Sequence, residues 1–365
     1  MTEKPPYILA IETSCDDTSV ALVNSCGFVK GLKRAHQNNR HQYFGGIVPE
    51  VASRAHTEVL IPMIEDLFLD TGVATSDIEG IAVTNRPGLI GSLLVGVVTA
   101  KTLALAWNKP IIGVNHLFGH IAANMLWDEN IRPPHLFSQD SYPRLPWLVL
   151  LVSGGHTVLY WVEDCYQIFI LGQTRDDAAG EAFDKFGKLL GLPFPGGPQV
   201  DYLARGWSGR LDSHKKSPFH IGEMPGYDFS FSGIKAAAER LIKGRSWWSD
   251  EEKMELAFYY QKAIVDSLLT KLKKASNELR PPSVMVTGGV SANSYFRDEL
   301  NKLGGYLNTS ILIPPLCYTT DNAAMVGLAG WWHWDKRTWV SQDSDAVRAF
   351  ASSLADDFLS KHQSG

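Results

Sequence analysis

The sequence predicts an α/β protein made of two similar halves, and three observations lead there. A buried strand, a polar turn and a second strand open the chain at residues 7–12, 13–18 and 19–23. The same unit restarts at 147–152, 153–157 and 158–162, which reads as a duplicated fold. Between them, residues 128–146 carry Pro133, Pro134, Pro143 and Pro146 without periodicity, as a linker does. After each hairpin, strands and helical patterns alternate, which implies a sheet with parallel crossovers. A length of 365 residues suits two medium domains better than one core.

The first strand, Tyr-Ile-Leu-Ala-Ile-Glu, ends in a turn, Thr13-Ser14-Cys15-Asp16-Asp17-Thr18, too long and too rich in acceptors for a two-residue hairpin. It suits holding a ligand, or equally a solvated turn. From Thr18 to Pro49 there is no acid, while Lys30, Lys33, Arg34, Arg40, His36 and His41 are present. That run reads as a solvated loop or as a contact for a phosphate backbone, with Lys33, Arg34 and Arg40 as the candidate contacts. Pro49 opens a helix at its favoured first position and Gly72 closes it, with Val51, Ala55, Val59, Met63 and Leu67 on the core face. A strand at 80–84 leads through Asn85-Arg86-Pro87-Gly88 into a helix at 89–107 rich in small residues, then a strand at 111–114.

That strand delivers the chain to Asn115-His116-Leu117-Phe118-Gly119-His120. In a helix the four-residue spacing stacks both imidazoles on one face. Two imidazoles so placed can share a metal ion, or can be two ordinary helix histidines. Asp321, a lone acid at the start of a later helix, is a candidate third ligand.

In the second half, Gly154 and Gly155 let backbone N–H groups approach an anion, or simply form a tight turn. A helix is expected at 176–190, with Glu181, Asp184 and Lys188 along one face. The rigid Leu192-Pro193-Phe194-Pro195-Gly196-Gly197-Pro198 shapes a pocket wall. A basic, aromatic stretch at 205–220 follows, and 228–232 alternates as a strand does. Ser249-Asp250-Glu251-Glu252 is a capping box opening a long helix. A strand at 283–287, Gly288-Gly289 and a helix start at 291–293 make a phosphate cradle, although neither the dinucleotide fingerprint nor the phosphate-loop pattern is present. The last strand is expected at 309–313. Trp331, Trp332 and Trp334 are expected to pack between domains.

Net charge of −5 gives no global electrostatic case for nucleic acid, so a polyanion must meet a local patch. Cys15, Cys26, Cys165 and Cys317 form no Cys-x-x-Cys pair and read as free thiols in a reducing compartment. There is no signal-peptide core and no apolar run long enough to span a bilayer, so a cytoplasmic protein with no membrane contact is expected.

Several ordered motifs carry a resemblance: residues 11–18, Gly45-Gly46-Ile47-Val48-Pro49-Glu50, 115–120, 151–156, 177–184 and 319–323. Over about residues 7–330 the chain resembles the universal tRNA threonylcarbamoyladenosine synthases of the bacterial catalytic-subunit type, once catalogued as sialoglycoprotein endopeptidases. The resemblance implies an α/β fold of two tandem RNase H-like domains of the actin and hexokinase (ASKHA) superfamily around a central cleft. Residues 1–128 plus about 325–365 would form the first domain, 129–146 the linker and 147–324 the second domain. It implies transfer of a threonylcarbamoyl group from threonylcarbamoyl-adenylate to N6 of the adenosine 3′ of the anticodon in tRNAs reading codons that begin with A. By position, His116, His120 and Asp321 would hold one divalent ion, Fe2+ or Zn2+. Leu151, Val152, Ser153, Gly154, Gly155, Asp184, Gly197, Asp201 and Asn293 would contact substrate. An inactive paralogue subunit and a small ATPase would be partners, and a homodimer would form in isolation.

One departure matters: Phe118 stands where many bacterial members carry Glu. A zinc peptidase needs a glutamate base beside its histidines, so the substitution counts against that reading. Glu12, at the first hairpin, is the candidate carboxylate to act as general base, or is equally a structural residue. Two other classes fit the fold: a sugar or acyl kinase, which needs no histidine pair, and a non-catalytic partner subunit, which would lose the metal ligands.

Overall fold

The computed structural model describes residues 6–41, 44, 46–131, 143–164, 167–211, 216–220, 222, 224–245, 248–334, 347–353 and 359–360. The chain divides into two compact units, Met1–Tyr142 with Pro314–Asp357, and Pro143–Ile313 with Phe358–Gly365. Most of the proline-rich stretch at 128–146 lies outside the described residues. The return to the first unit starts at Pro314 rather than near 325, so Asp321 belongs to the first unit.

In the first unit, β1 (Tyr7–Glu12), β2 (Thr18–Val23) and β3 (Val29–Ala35) form an antiparallel meander. The short α1 (Asn38–His41) and the long α2 (Pro49–Thr71) follow. Then β4 (Ile78–Arg86) pairs parallel with β1, α3 (Ile90–Trp107) crosses over, and β5 (Ile111–Asn115) pairs parallel with β4. The sheet order is β3-β2-β1-β4-β5. α4 (His116–Ala122) leaves β5 directly.

The second unit repeats the plan. β6 (Trp147–Val152), β7 (Thr157–Asp164) and β8 (Gln167–Gln173) form the meander. α5 (Ala179–Leu189), α6 (Gly196–Arg205), α7 (Ser232–Lys243) and α8 (Asp250–Leu279) precede β9 (Ser283–Thr287). α9 (Ser294–Leu307) leads to β10 (Ile311–Leu312). The chain then gives α10 (Ala323–Trp334) to the first unit and β11 (Leu359–Ser360) to the second. The second sheet runs β10-β9-β6-β7-β8-β11, so strand order and direction match the first sheet apart from the added β11. This is the tandem RNase H-like arrangement.

Local chemistry explains the boundaries. Pro49 starts α2, and Gly72 ends it in the left-handed region at φ 61°. The buried face of α2 is Ala52, Ala55, His56, Leu60, Ile64 and Leu67, not the strict four-residue stripe expected, because steps of four drift around a 3.6-residue helix. Ser249 and Glu252 cap α8 reciprocally, as expected. Residues 228–232 form no strand; Phe229 makes a single bridge to Thr174, and α7 begins at Ser232. Trp331 donates its Nε1–H to the Val23 carbonyl at 2.9 Å and stacks obliquely on Trp334, so this ring pair packs on the first sheet.

Among the described residues one helix, α3, has the length and apolar composition to cross a membrane, contrary to expectation. Its Leu93, Gly96, Val97, Ala100 and Ala104 are buried in the first unit's core with Leu9, Ile11 and Val83. That packing accounts for one face of a sheet-covering helix, while Ile90, Leu94, Val98 and Leu105 stay exposed.

Gly288 closes β9 at φ 91°, ψ 165°, and a Cβ there would lie 2.4 Å from the Val152 carbonyl oxygen. Only glycine occupies that region readily. Gly288→Ala is therefore expected to destabilise the chain by about 2 kcal/mol or more, seen as a lower thermal midpoint. An unchanged midpoint would contradict this account of the β9 turn.

Candidate metal centre

The centre is built from three segments of the first unit. Asn115, at the end of β5, caps α4 by accepting the Leu117 N–H at 2.8 Å. The helix therefore begins at His116 and puts His120 one turn further on the same face. Gly119 lies where a Cβ would stand 3.1 Å from Met325 Cγ, so its lack of a side chain lets α4 pack closely on α10. The imidazole centroids are 4.7 Å apart at an interplanar angle of 80°. Asp321 precedes α10, whose first turn is capped by Asn322 accepting the Met325 N–H at 3.0 Å.

Asp321 Oδ1 lies 3.4 Å from His116 Nε2 and 3.2 Å from His120 Nε2. One ligand atom from each residue falls within 4.8 Å of the others. Two imidazole nitrogens and one carboxylate oxygen, converging with both histidines buried, form a donor set that fits a divalent ion and leaves coordination positions open. No other such cluster occurs among the described residues.

Glu12 lies at the first hairpin, as expected, and its contacts favour the structural reading. Its carboxylate is fully buried at the end of β1 and accepts from Ser14 N–H, Thr84 Oγ1–H and His116 Nδ1, the last at 3.1 Å. A carboxylate with these donors is poorly placed to take a proton from substrate. It can only accept, so Nδ1 of His116 carries the hydrogen and Nε2 would face an ion, as in a carboxylate–histidine–metal relay. Ser14 Oγ lies 3.2 Å from the same Nδ1. Neither Ser14 nor Thr84 was singled out from sequence. The crowding of hydroxyls at the first hairpin tip pointed toward Ser14, whereas nothing marked Thr84.

The charges follow from this packing. Burial alone would lower the His116 pKa, yet the carboxylates of Asp321 and Glu12 outweigh it and hold the imidazolium well above its usual range. Burial dominates at His120 and lowers it. Asp321 would be raised by burial, but the two imidazoles pull it well below the ordinary carboxylate range. Glu12 is likewise lowered against its burial, by His116 and Ser14. At the hairpin tip, burial raises Asp17 to about 6 despite its ion pair with His36 at 3.0 Å.

The other expected residues lie in the second unit. Leu151 and Val152 are buried at the end of β6, so only their backbone can meet a ligand. The Ser153 N–H donates to the His156 carbonyl at 2.8 Å, and Gly154 and Gly155 have open space where a Cβ would be. Asp184 accepts the Gly196 and Gly197 N–H groups at 2.8 and 3.1 Å and so caps α6. Asp201 accepts from Ser294 Oγ at 2.7 Å and Arg205 at 2.9 Å. Asn293 accepts the Phe296 N–H at 2.9 Å and donates to Gln261 at 2.6 Å. These polar groups tie α5, α6, α8 and α9 together.

The expected tRNA patch is largely committed within the chain. Lys33 pairs with Asp70, Arg40 pairs with Glu58 at 2.8 Å, and Arg34 donates to the Cys317 carbonyl and to Thr320 Oγ1.

The repeated sheet plan is that of an ASKHA-type fold, and two buried histidines with a half-buried carboxylate give it a candidate metal centre. The fold is shared with T. kodakarensis HypF, at a TM-score of 0.57 and 10% identity over 92% of this chain and 50% of that one. Residues 31–328 match the family described as tRNA N6-adenosine threonylcarbamoyltransferase. Proteins of that name are similar along most of their length. One from Bdellovibrio bacteriovorus is 46% identical, covering 88% of this chain and 91% of the relative. One from Moorella thermoacetica is 42% identical, covering 93% and 95%. One from Bacillus subtilis is 41% identical, covering 90% of each. The chain belongs to the tRNA N6-adenosine threonylcarbamoyltransferase family, a family of transferases.

Two outcomes test the centre. Glu12→Gln keeps an acceptor near His116 but removes its charge, so Zn2+ affinity should fall ~10-fold or more in a chelator competition. If Glu12 were the base, transfer would be lost with Zn2+ affinity unchanged. Because the metal-free chain keeps a proton on His116 above the usual imidazole range, Zn2+ must displace it. Affinity should therefore keep rising with pH beyond about 6.5, the ordinary histidine value. A pH-independent affinity across that range would contradict the assignment.

Proposed function

We propose that this chain transfers the threonylcarbamoyl group from threonylcarbamoyl-adenylate to N6 of the adenosine 3′ of the anticodon in tRNAs reading codons that begin with A. The observation that carries the reading is the His116–His120–Asp321 cluster in a chain of this family. In the reaction, N6 attacks the carbonyl of the mixed anhydride. The new C–N bond forms as the C–O bond to phosphate breaks, AMP departs, and N6 gives up one proton.

The residues that would hold the ion are His116, His120 and Asp321, with Fe2+ or Zn2+ both suited to the donors. When bound, the ion supplies Lewis acidity toward a carbonyl or phosphate oxygen. Glu12 and Ser14 orient His116. In the second unit, the Ser153-Gly154-Gly155 turn offers backbone to an anionic group, with Gly154 and Gly155 as its open positions. Asp184, Gly197, Asp201 and Asn293 shape that unit's turns around substrate. The kinase and non-catalytic readings are not favoured, since neither requires the converging two-histidine, one-carboxylate cluster present here.

The family resemblance extends to an inactive paralogue subunit and a small ATPase as partners, with self-association in isolation, in the cytoplasm. An apolar stripe left exposed on α3 by Ile90, Leu94, Val98 and Leu105 supports the paralogue as an occupant of that face.

The test is nucleoside mass spectrometry of tRNA after incubation with the chain, its partners, ATP and threonylcarbamoyl-adenylate. Threonylcarbamoyladenosine should form with the wild-type chain. His116→Ala should lower both bound metal and product at least about 10-fold, as expected when a metal-coordinating group is removed. Equal product from a metal-free His116→Ala chain would overturn the metal's role.

A further inference from the structure

We infer that Arg34 is a positioning residue of the metal centre: it clamps the segment that presents Asp321. The inference rests on the metal site proposed above. Asp321 sits in a short connection between a 3-10 turn at Leu316–Tyr318 and α10. A carboxylate there binds an ion only if the connection is held in one conformation.

The β2–β3 hairpin supplies the hold. The two strands pair with Ser19 opposite Arg34. Arg34 reaches across to donate one guanidinium N–H to the Cys317 carbonyl and another to Thr320 Oγ1, the latter at 3.1 Å. Ser19 Oγ accepts the Ala323 N–H at 3.0 Å and donates to the Lys33 carbonyl at 2.9 Å. Asp321 is thus bracketed, with Arg34 holding the chain before it and Ser19 the chain after it. Asn322 closes the segment on itself, donating to the Tyr318 and Thr320 carbonyls at 3.2 and 2.8 Å.

The chemistry requires arginine. A guanidinium offers several N–H groups in a rigid fork and reaches two acceptors at once, whereas an ammonium is a point charge on a flexible stem. Burial lowers the Arg34 pKa, opposed by Asp17, Asp321 and neighbouring groups. A partly desolvated cation with two acceptors inside the chain is poorly free to meet a tRNA phosphate. Lys33, one residue earlier, pairs with Asp70 and provides the contrast.

The test measures Zn2+ affinity of the full-length, metal-free chain by chelator competition, alongside tRNA affinity as a function of salt. Arg34→Ala should weaken Zn2+ binding ~10-fold or more, the usual effect of losing an outer-sphere partner. Arg34→Lys should restore it only in part, and Lys33→Ala should leave it unchanged. The salt slope for tRNA should be the same in Arg34→Ala and wild type. Equal Zn2+ affinity in Arg34→Ala and wild type would overturn the clamp, as would a tRNA slope reduced by about one with Zn2+ affinity intact, the mark of a lost phosphate contact. Should Arg34→Ala fail to fold, Thr320→Val removes one acceptor and should weaken Zn2+ binding in the same direction; no effect there would overturn the clamp. A wild-type chain that takes up no Zn2+ would instead overturn the metal site, and this inference with it.

Discussion

The constraint behind the rest is the meeting of two buried imidazoles with a half-buried carboxylate. His116, His120 and Asp321 converge although more than two hundred residues separate the imidazoles from the carboxylate. Burying such groups is costly unless they neutralise one another or bind an ion. The surrounding structure serves that end. Asn115 fixes the start of α4, Gly119 lets α4 approach α10, and the crossing of the chain at Pro314 carries Asp321 back to the first unit.

The same logic explains why β1 ends in a buried glutamate. Glu12 stands with no exposure among a backbone amide, a threonine hydroxyl and an imidazole. Each donor stabilises its anion, and its anion fixes the His116 tautomer. Of the two readings its place at a hairpin tip allows, base or structural support, its contact with His116 favours support. Arg34 likewise turns inward, donating to the Cys317 carbonyl and to Thr320 Oγ1, which is the basis of the clamp proposed above.

Much of this was legible in the sequence, and the exceptions have physical causes. The duplicated hairpins, the helix opened by Pro49 and closed by Gly72, and the capping box at Ser249 follow from local rules and appear as read. The spacing of His116 and His120 was equally local. The edge strands β3 and β8 were not recognised. Val29–Ala35 carries three basic residues on a half-buried edge and lacks clean alternation, so charge masked the strand. α6 escaped because Pro195-Gly196-Gly197-Pro198 reads as turn chemistry, although Pro198 sits in its first turn, where proline is tolerated. The contacts of Glu12 and Arg34 depend on pairings across 72 to 286 positions, which no local pattern encodes.

The central claim is that the two imidazoles and the Asp321 carboxylate hold one ion. X-ray absorption at the metal edge of the purified full-length chain tests it most directly. The account predicts one ion per chain with two imidazole nitrogens and light oxygen donors at about 2.0–2.2 Å. A first shell without imidazole, or one containing sulfur, would contradict it.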